Sequence, residues 1–238
     1  MESIIEWFKE LEFYKQILIG VISSTIASAI VLGISYIFRN KFLPKFFSRV
    51  AKEVEMQLYT KELFTDNRNG KKYRIVKIGS QIWMAENLNY NGGTICNGYI
   101  NKYYNNNSEN GEKFGMLYDW ETANKVCPEG WHLPSNEEWE TLIDFIGGKK
   151  IAGKKLKAKK GWNNNSNGTD EFGFLALPGG LGNSKGEFGD IGSKCVWWSA
   201  TQINDTKISS RGIDYNGNYV FDGEDDKNNL LSVRYVKD

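Results

Sequence analysis

The sequence predicts a β-rich α+β domain with irregular loops, carried behind one transmembrane helix. Three observations lead there. A run without formal charge, ILIGVISSTIASAIVLGISYIF, fills 17–38. Beyond about Leu63, short apolar runs alternate with Gly and Asn, of which the chain holds 25 and 24. Within that region one segment has the capping and spacing of an amphipathic helix. The eight Trp and 14% aromatic content supply a core and exclude a wholly disordered chain. Thirty basic against 29 acidic residues leave a net charge of +1, so no nucleic-acid partner is expected. One His and three Cys offer little for a zinc site or a histidine-based triad. No catalytic residue, metal ligand or cofactor is assigned.

The first 16 residues form a short acidic flank with Glu2, Glu6, Glu10 and Glu12. A signal peptide starts basic, so the run at 17–38 reads as an uncleaved span. Its 22 residues make about 33 Å of helix, enough to cross a bilayer core. Lys9 and Lys15 precede it, whereas Arg39, Lys41, Lys45, Arg49 and Lys52 follow. The positive-inside rule therefore predicts a single-pass protein of the bacterial inner membrane with a cytoplasmic C-terminal side. Gly20, Ser24 and Ser28 share one helix face, as in spans that pack closely into homo-oligomers. Ordinary small-residue content explains the same spacing, and both readings stay open. Residues 39–63 read as a basic amphipathic linker helix, with Phe42, Phe46, Phe47 and Val50 at helical spacing beside cations.

Residues 64–238 form the soluble domain. Asn69-Gly70 marks a turn before a strand at Tyr73–Ile78, and Gln81–Met84 reads as its return. A short helix is expected over Asp119 to Lys125. Ser135 and Glu138 form a capping box, followed by Trp139, Leu142, Ile143 and Ile146 on one face and Gly147-Gly148 at the end. The last strand is expected over Leu231–Val236.

Several strings carry a resemblance: VKIGSQIWMAENLNY (76–90), FGMLYDWETANKVCPEGWHLPSNEEWETL (114–142), AGKKLK (152–157), GTDEFGFLALPGG (168–180), WWSAT (197–201) and SVRYVKD (232–238). From about residue 66 to the end the chain resembles the Fibrobacter succinogenes major paralogous domain. That family is similar to the C-type-lectin fold and, through GWHLP…EEW, to the formylglycine-generating enzymes. The resemblance implies a C-type-lectin-like domain with a small twisted β core, two helices and a long irregular loop region. Members commonly stand on bacterial surfaces, and related lectin-fold domains bind ligands near the WWS-to-SVR segment.

The chain departs from the family at its cysteines. Tyr235 stands where the family pattern SVRCV has Cys, so the disulfide it implies with Cys127 is excluded. Gly111 replaces a second family Cys, which leaves Cys96 without that partner. Lost pairs suit a reducing compartment and agree with the charge-based topology. The formylglycine-generating group uses a copper-binding cysteine pair, but no matching motif surrounds Cys127 and Cys195. His132 reads as a packed residue between a turn and a helix start. The acidic run Asp222, Glu224, Asp225 and Asp226 reads as a solvated turn, because the acidic-Pro-Asn and Trp-Asn-Asp motifs of lectin calcium sites are absent.

The segment after Trp197 is rich in side chains that contact ligands without catalysing anything. Candidate ligand-binding residues are Trp198, Thr201, Gln202, Asn204, Arg211, Asp214, Tyr215, Asn216, Asn218, Tyr219 and Asp222. Tyr offers flat apolar area at low entropy cost, and Asn offers both donors and acceptors. The expected function is that of a membrane-anchored, non-enzymatic recognition protein. It contacts membrane lipid through 17–38 and binds a protein or carbohydrate through C-terminal loops. The alternative is an oligomerising membrane effector of the defence type, with a lectin-like sensor or assembly domain.

Overall fold

A computed structural model describes residues 62–92 and 101–238. The flank 1–16, the span 17–38 with Gly20, Ser24 and Ser28, linker residues 39–61 and Cys96 lie outside the described residues. Among the described residues no helix is long and apolar enough to cross a membrane. The described part belongs to one compact unit, Tyr59–Asp238.

In chain order the elements are β1 (Leu63–Thr65), β2 (Lys72–Ile78), β3 (Gln81–Met84), β4 (Asn101–Lys102), α1 (Ser108–Phe114), β5 (Leu117–Tyr118), α2 (Trp120–Lys125), β6 (Trp131–His132), α3 (Asn136–Ile146) and α4 (Lys149–Leu156). Then follow β7 (Gly179–Gly182), β8 (Phe188–Ile191), β9 (Lys194–Gln202), β10 (Lys207–Asp214), β11 (Val220–Asp226) and β12 (Val236–Lys237). The class is α+β and mostly β. One sheet has the order β1-β2-β3-β12-β6, the second β11-β10-β9-β7-β8, and β4 pairs with β5. Only the β7–β9 pair is parallel among the described strands.

The β2–β3 hairpin forms where expected, with Val76 opposite Trp83. Helix α3 starts with the capping box: Ser135 Oγ accepts from Glu138 N, and Glu138 Oε2 accepts from Ser135 N. Its face of Trp139, Leu142, Ile143 and Ile146 is buried. Asp119 caps α2 by accepting from Thr122 N at 2.7 Å. Helices α1 and α4 go beyond the two helices implied by the resemblance.

The last strand is much shorter than Leu231–Val236. Leu231 bridges Tyr118 and Ser232 bridges Trp197, whereas Val236 pairs with Trp83 and His132. The segment crosses from one sheet to the other, so no single partner strand accompanies it.

The core sits on both faces of β9. Trp197 faces Trp139 and Phe174, each with its ring centre 5.8 Å away, and Trp139 in turn packs at a tilt against Trp83, 4.7 Å between ring centres. Trp198 points the other way, into a cluster with Tyr118, Leu231, Val233 and Tyr235. Successive residues of a strand face opposite sides, so the Trp-Trp pair nails one strand to two layers.

Candidate functional site

The residues expected to form C-terminal binding loops lie on a regular three-stranded antiparallel arrangement, β9–β10–β11. Trp198 is corrected outright. It is 0% exposed, and its Nε1 donates to Tyr118 O at 2.7 Å, so it offers no face to a ligand. The remaining candidates fall into three places. Thr201, Gln202 and Asn204 lie at one end of β10, and Asp214 to Tyr219 at the other. Eight residues of strand separate them by roughly 25 Å. A single ligand of ordinary size cannot span both groups.

The first group is occupied with local structure. Thr201 Oγ1 accepts from Asn136 N at the start of α3. Gln202 Nε2 donates to Asn204 O. Asn204 Oδ1 accepts from Thr206 N, Thr206 Oγ1 and Lys207 N, which closes the β9–β10 turn.

The middle group is an ion-pair network. Arg211 is buried and sits opposite Asp222 across β10–β11. It pairs with Asp222 at 3.0 Å and with Glu140 of α3 at 3.1 Å. Lys149 of α4 pairs with the same two carboxylates at 2.7 and 3.0 Å, and these bonds raise its pKa. Two cations and two anions cancel, so Arg211 and Asp222 are tied to the helices. The acidic run 222–226 is a strand, not a turn. It forms the sheet's edge, where charges oppose pairing with another chain. Among the described residues no His, Cys, Asp and Glu group is arranged to hold a metal.

The third group is the β10–β11 turn. Asp214 Oδ1 accepts from Asn216 N and sets the turn. Lys157, at the end of α4, is almost wholly buried beneath it. Its Nζ donates to Tyr215 O at 3.2 Å and to Gly217 O at 2.7 Å, and lies 4.6 Å from the Trp162 ring centre. Burial lowers the pKa of this ammonium. Lys154 N donates to Asn218 O at 3.0 Å. Above these anchors Asn216 and Asn218 are exposed and Tyr219 is 48% exposed. The Tyr219 ring lies on Gly217, where a Cβ would sit 2.3 Å from it. No sequence pattern points to Lys157 as the anchor; its block, AGKKLK, carries only the family resemblance.

His132 is half-exposed. Its Nδ1 lies 2.6 Å from Asp238 Oδ1 and its Nε2 2.7 Å from Glu138 Oε1, which bridges it to the capping box. Cys195 is buried, and Cys127 Sγ donates to Trp131 O at 2.9 Å; both are free thiols. Tyr235 OH donates to Ala123 O at 2.5 Å.

A cleft of about 410 Å³ opens elsewhere, between the start of β2, the segment after β3, the end of α1 and Leu175–Leu177. Seven charged side chains line it, among them the buried Arg234.

The family model of the Fibrobacter succinogenes major domain matches residues 76–237. No curated protein matches the chain, and no solved structure does. The matched stretch holds both sheets from the middle of β2 onward, the β10–β11 turn and Arg234. The protein belongs to the Fibrobacter succinogenes major domain family.

Proposed function

We propose that this is a membrane-anchored, non-enzymatic recognition protein, C-type-lectin-like in fold, that binds a protein or carbohydrate through its β10–β11 turn. One observation carries the reading. The turn is held from below by a buried ammonium that has no carboxylate in ion-pair range among the described residues, while Asn216, Asn218 and Tyr219 stay open to solvent. Burying an unpaired ammonium costs stability, and here it orders an exposed tip. An ordered tip loses less entropy on binding. Tyr and Asn are suited to recognition, since they combine flat area with donors and acceptors. In this reading residues 17–38 hold the domain at the inner membrane, on its cytoplasmic side.

The test uses the full chain in detergent, screened on a glycan array and against cytosolic proteins by crosslinking. Ligands that bind the parent should bind Tyr219→Ala and Asn216→Ala at least about tenfold more weakly. Unchanged binding of every ligand found would remove the turn as the site. Protease access to the C-terminal domain in spheroplasts tests the orientation.

The effector reading rests on the Gly20, Ser24 and Ser28 face. Gly20→Leu with Ser24→Leu should reduce oligomer size and any membrane depolarisation on expression. Equal oligomer size, with no depolarisation from either chain, would dismiss it.

A further inference from the structure

The cleft beside β2 has an unbalanced charge. Lys71 pairs with Glu112 at 3.1 Å, and Arg74 pairs with Glu86 at 2.9 Å, so four of its charges cancel. Lys72, Lys113 and Arg234 remain. None of the three has a carboxylate within ion-pair distance among the described residues. Lys72 is exposed at the rim, whereas Arg234 is 1% exposed.

Arg234 is satisfied in hydrogen bonds but not in charge. Its Nε donates to Asn87 Oδ1 at 2.9 Å and its Nη2 to Leu175 O at 2.9 Å. Nη1 donates to Phe174 O and, at 3.5 Å, to Met84 O. All four acceptors are neutral. A guanidinium has five N–H groups, so one on Nη2 is left without an acceptor among the described residues. Its plane lies against Phe174, whose ring centre is 4.2 Å away. Asp170 and Glu86 are near enough to be felt, but neither carboxylate lies within ion-pair distance of the guanidinium among the described residues. Burial pulls the Arg234 pKa down to about 9, partly opposed by the Asp170 and Glu86 carboxylates. A charge buried without a counter-charge is costly, and an anion in the cleft would compensate it.

We propose that the cleft binds a small phosphate monoester on a polar stem, of the sugar-phosphate class, with Arg234 at its buried end and Lys72 and Lys113 at its rim. A phosphate monoester carries a charge near −2 and three acceptor oxygens, which suits three unpaired cations better than a carboxylate does. Asn89 Oδ1 has no donor among the described residues and can accept from a stem hydroxyl. The Phe114 ring and Leu177 supply apolar wall for the carbon frame. The volume is within the range of small-molecule sites. This site shares no residue with the β10–β11 turn, so either can fail alone.

The experiment is isothermal titration of the full chain in detergent with glucose 6-phosphate, inorganic phosphate, glucose and glucuronate. Glucose 6-phosphate should bind in the millimolar range or tighter, and at least about tenfold better than glucose or glucuronate. Lys72→Ala with Lys113→Ala should weaken it about tenfold, at about threefold per rim charge, with the melting temperature of the unliganded chain unchanged. This rim pair is the decisive variant, because Arg234→Met removes several buried bonds and can unfold the domain. Tyr219→Ala should leave the titration as it was. The proposal falls if neither phosphate probe binds at about 10 mM. It falls equally if glucuronate binds as well as the phosphate, or if the rim pair changes nothing. A parallel arm uses nanodiscs with and without phosphatidic acid. Hydrogen-exchange protection of the cleft that appears only with this lipid, is lost in the rim pair, and is not displaced by glucose 6-phosphate would overturn the soluble ligand in favour of a headgroup.

Discussion

Gly153 stands in the middle of α4, where glycine costs about 1 kcal/mol relative to alanine. Alanine there should nevertheless destabilise the domain. A Cβ on residue 153 would lie 2.4 Å from Tyr219 O, 2.7 Å from Tyr219 C and 2.8 Å from Asn218 C. Carbon contacts are comfortable at about 3.5 Å, so helix and turn must part by roughly 1 Å. The atoms in the way are backbone and have no rotamer to escape into. Parting stretches the bond from Lys154 N to Asn218 O, now 3.0 Å, and draws Gly217 O away from Lys157 Nζ. Overpacking of this kind costs about 1–3 kcal/mol, and one lost hydrogen bond adds about 1. The helix recovers about 1 kcal/mol from the better residue. The net is about 2 kcal/mol, or a fall of roughly 4–8 °C in melting temperature for a domain of this size. Urea unfolding followed by tryptophan fluorescence measures it. Gly189→Ala is the control, since nothing lies within 4 Å of a Cβ there. If Gly153→Ala is as stable as the parent, or if the control falls equally, the close approach of α4 to the turn does not constrain the fold as argued. The same variant displaces the tip, so it should also weaken any ligand lost by Tyr219→Ala.

Three shorter predictions accompany it. Ser135→Ala removes the N-terminal half of the capping box and should cost about 1 kcal/mol, seen as a shift in the urea midpoint with an unchanged slope. Burial alone lowers the His132 pKa, but the bonds to Asp238 and Glu138 outweigh it and the net shift is upward. The stabilisation is therefore complete below the unfolded value of about 6.5 and is lost as pH rises through the raised folded value; His132→Gln should flatten that part of the stability profile. Burial pushes the Cys127 thiol up to about 12 and Cys195 further. Iodoacetamide at about pH 8 should thus spare both in the native protein and modify both in urea, as read by peptide mass mapping; rapid native alkylation of Cys195 would contradict its burial.

The elements legible in the sequence are those with local signals. The capping box at Ser135, the aspartate before α2 and the alternation through β2 act within a few residues. The segment 203–226 lacks such signals. Residues 209–212 of β10 read Ser-Ser-Arg-Gly, yet all four are buried. Ser210 donates to Asp225 and Arg211 is ion-paired, so polar partners from a distant strand and helix replace apolar side chains. Hydrophobic periodicity cannot see a strand buried in that way. Asn110-Gly111 looks like a turn and lies inside α1, where the glycine makes room for the Tyr103 ring. Nearness along the chain does not bring the binding candidates together. The eight-residue β10 carries them to opposite ends, and they fall into three separate groups, of which Asp214 to Tyr219 is the largest.

Tyr235 changes what the missing cysteine implies. The resemblance places a Cys there, bonded to Cys127, and its loss suits a reducing compartment. In the structure the position is filled: Tyr235 is 0% exposed, packs in the cluster that Cys127 borders, and donates to Ala123 O in α2. A disulfide stabilises by about 2–4 kcal/mol. A fully buried aromatic ring contributes about 2–3 kcal/mol and its hydrogen bond about 1. The two anchors tie the chain end to the same α2–β6 region with comparable strength. The substitution is then stable on either side of a membrane, and it no longer counts as evidence for the cytoplasm. The proposed orientation then rests mainly on charge, two Lys before residues 17–38 against five Lys and Arg just after them, with the second lost pair, Gly111 and Cys96, as its remaining support. Protease access in spheroplasts therefore tests chiefly that asymmetry.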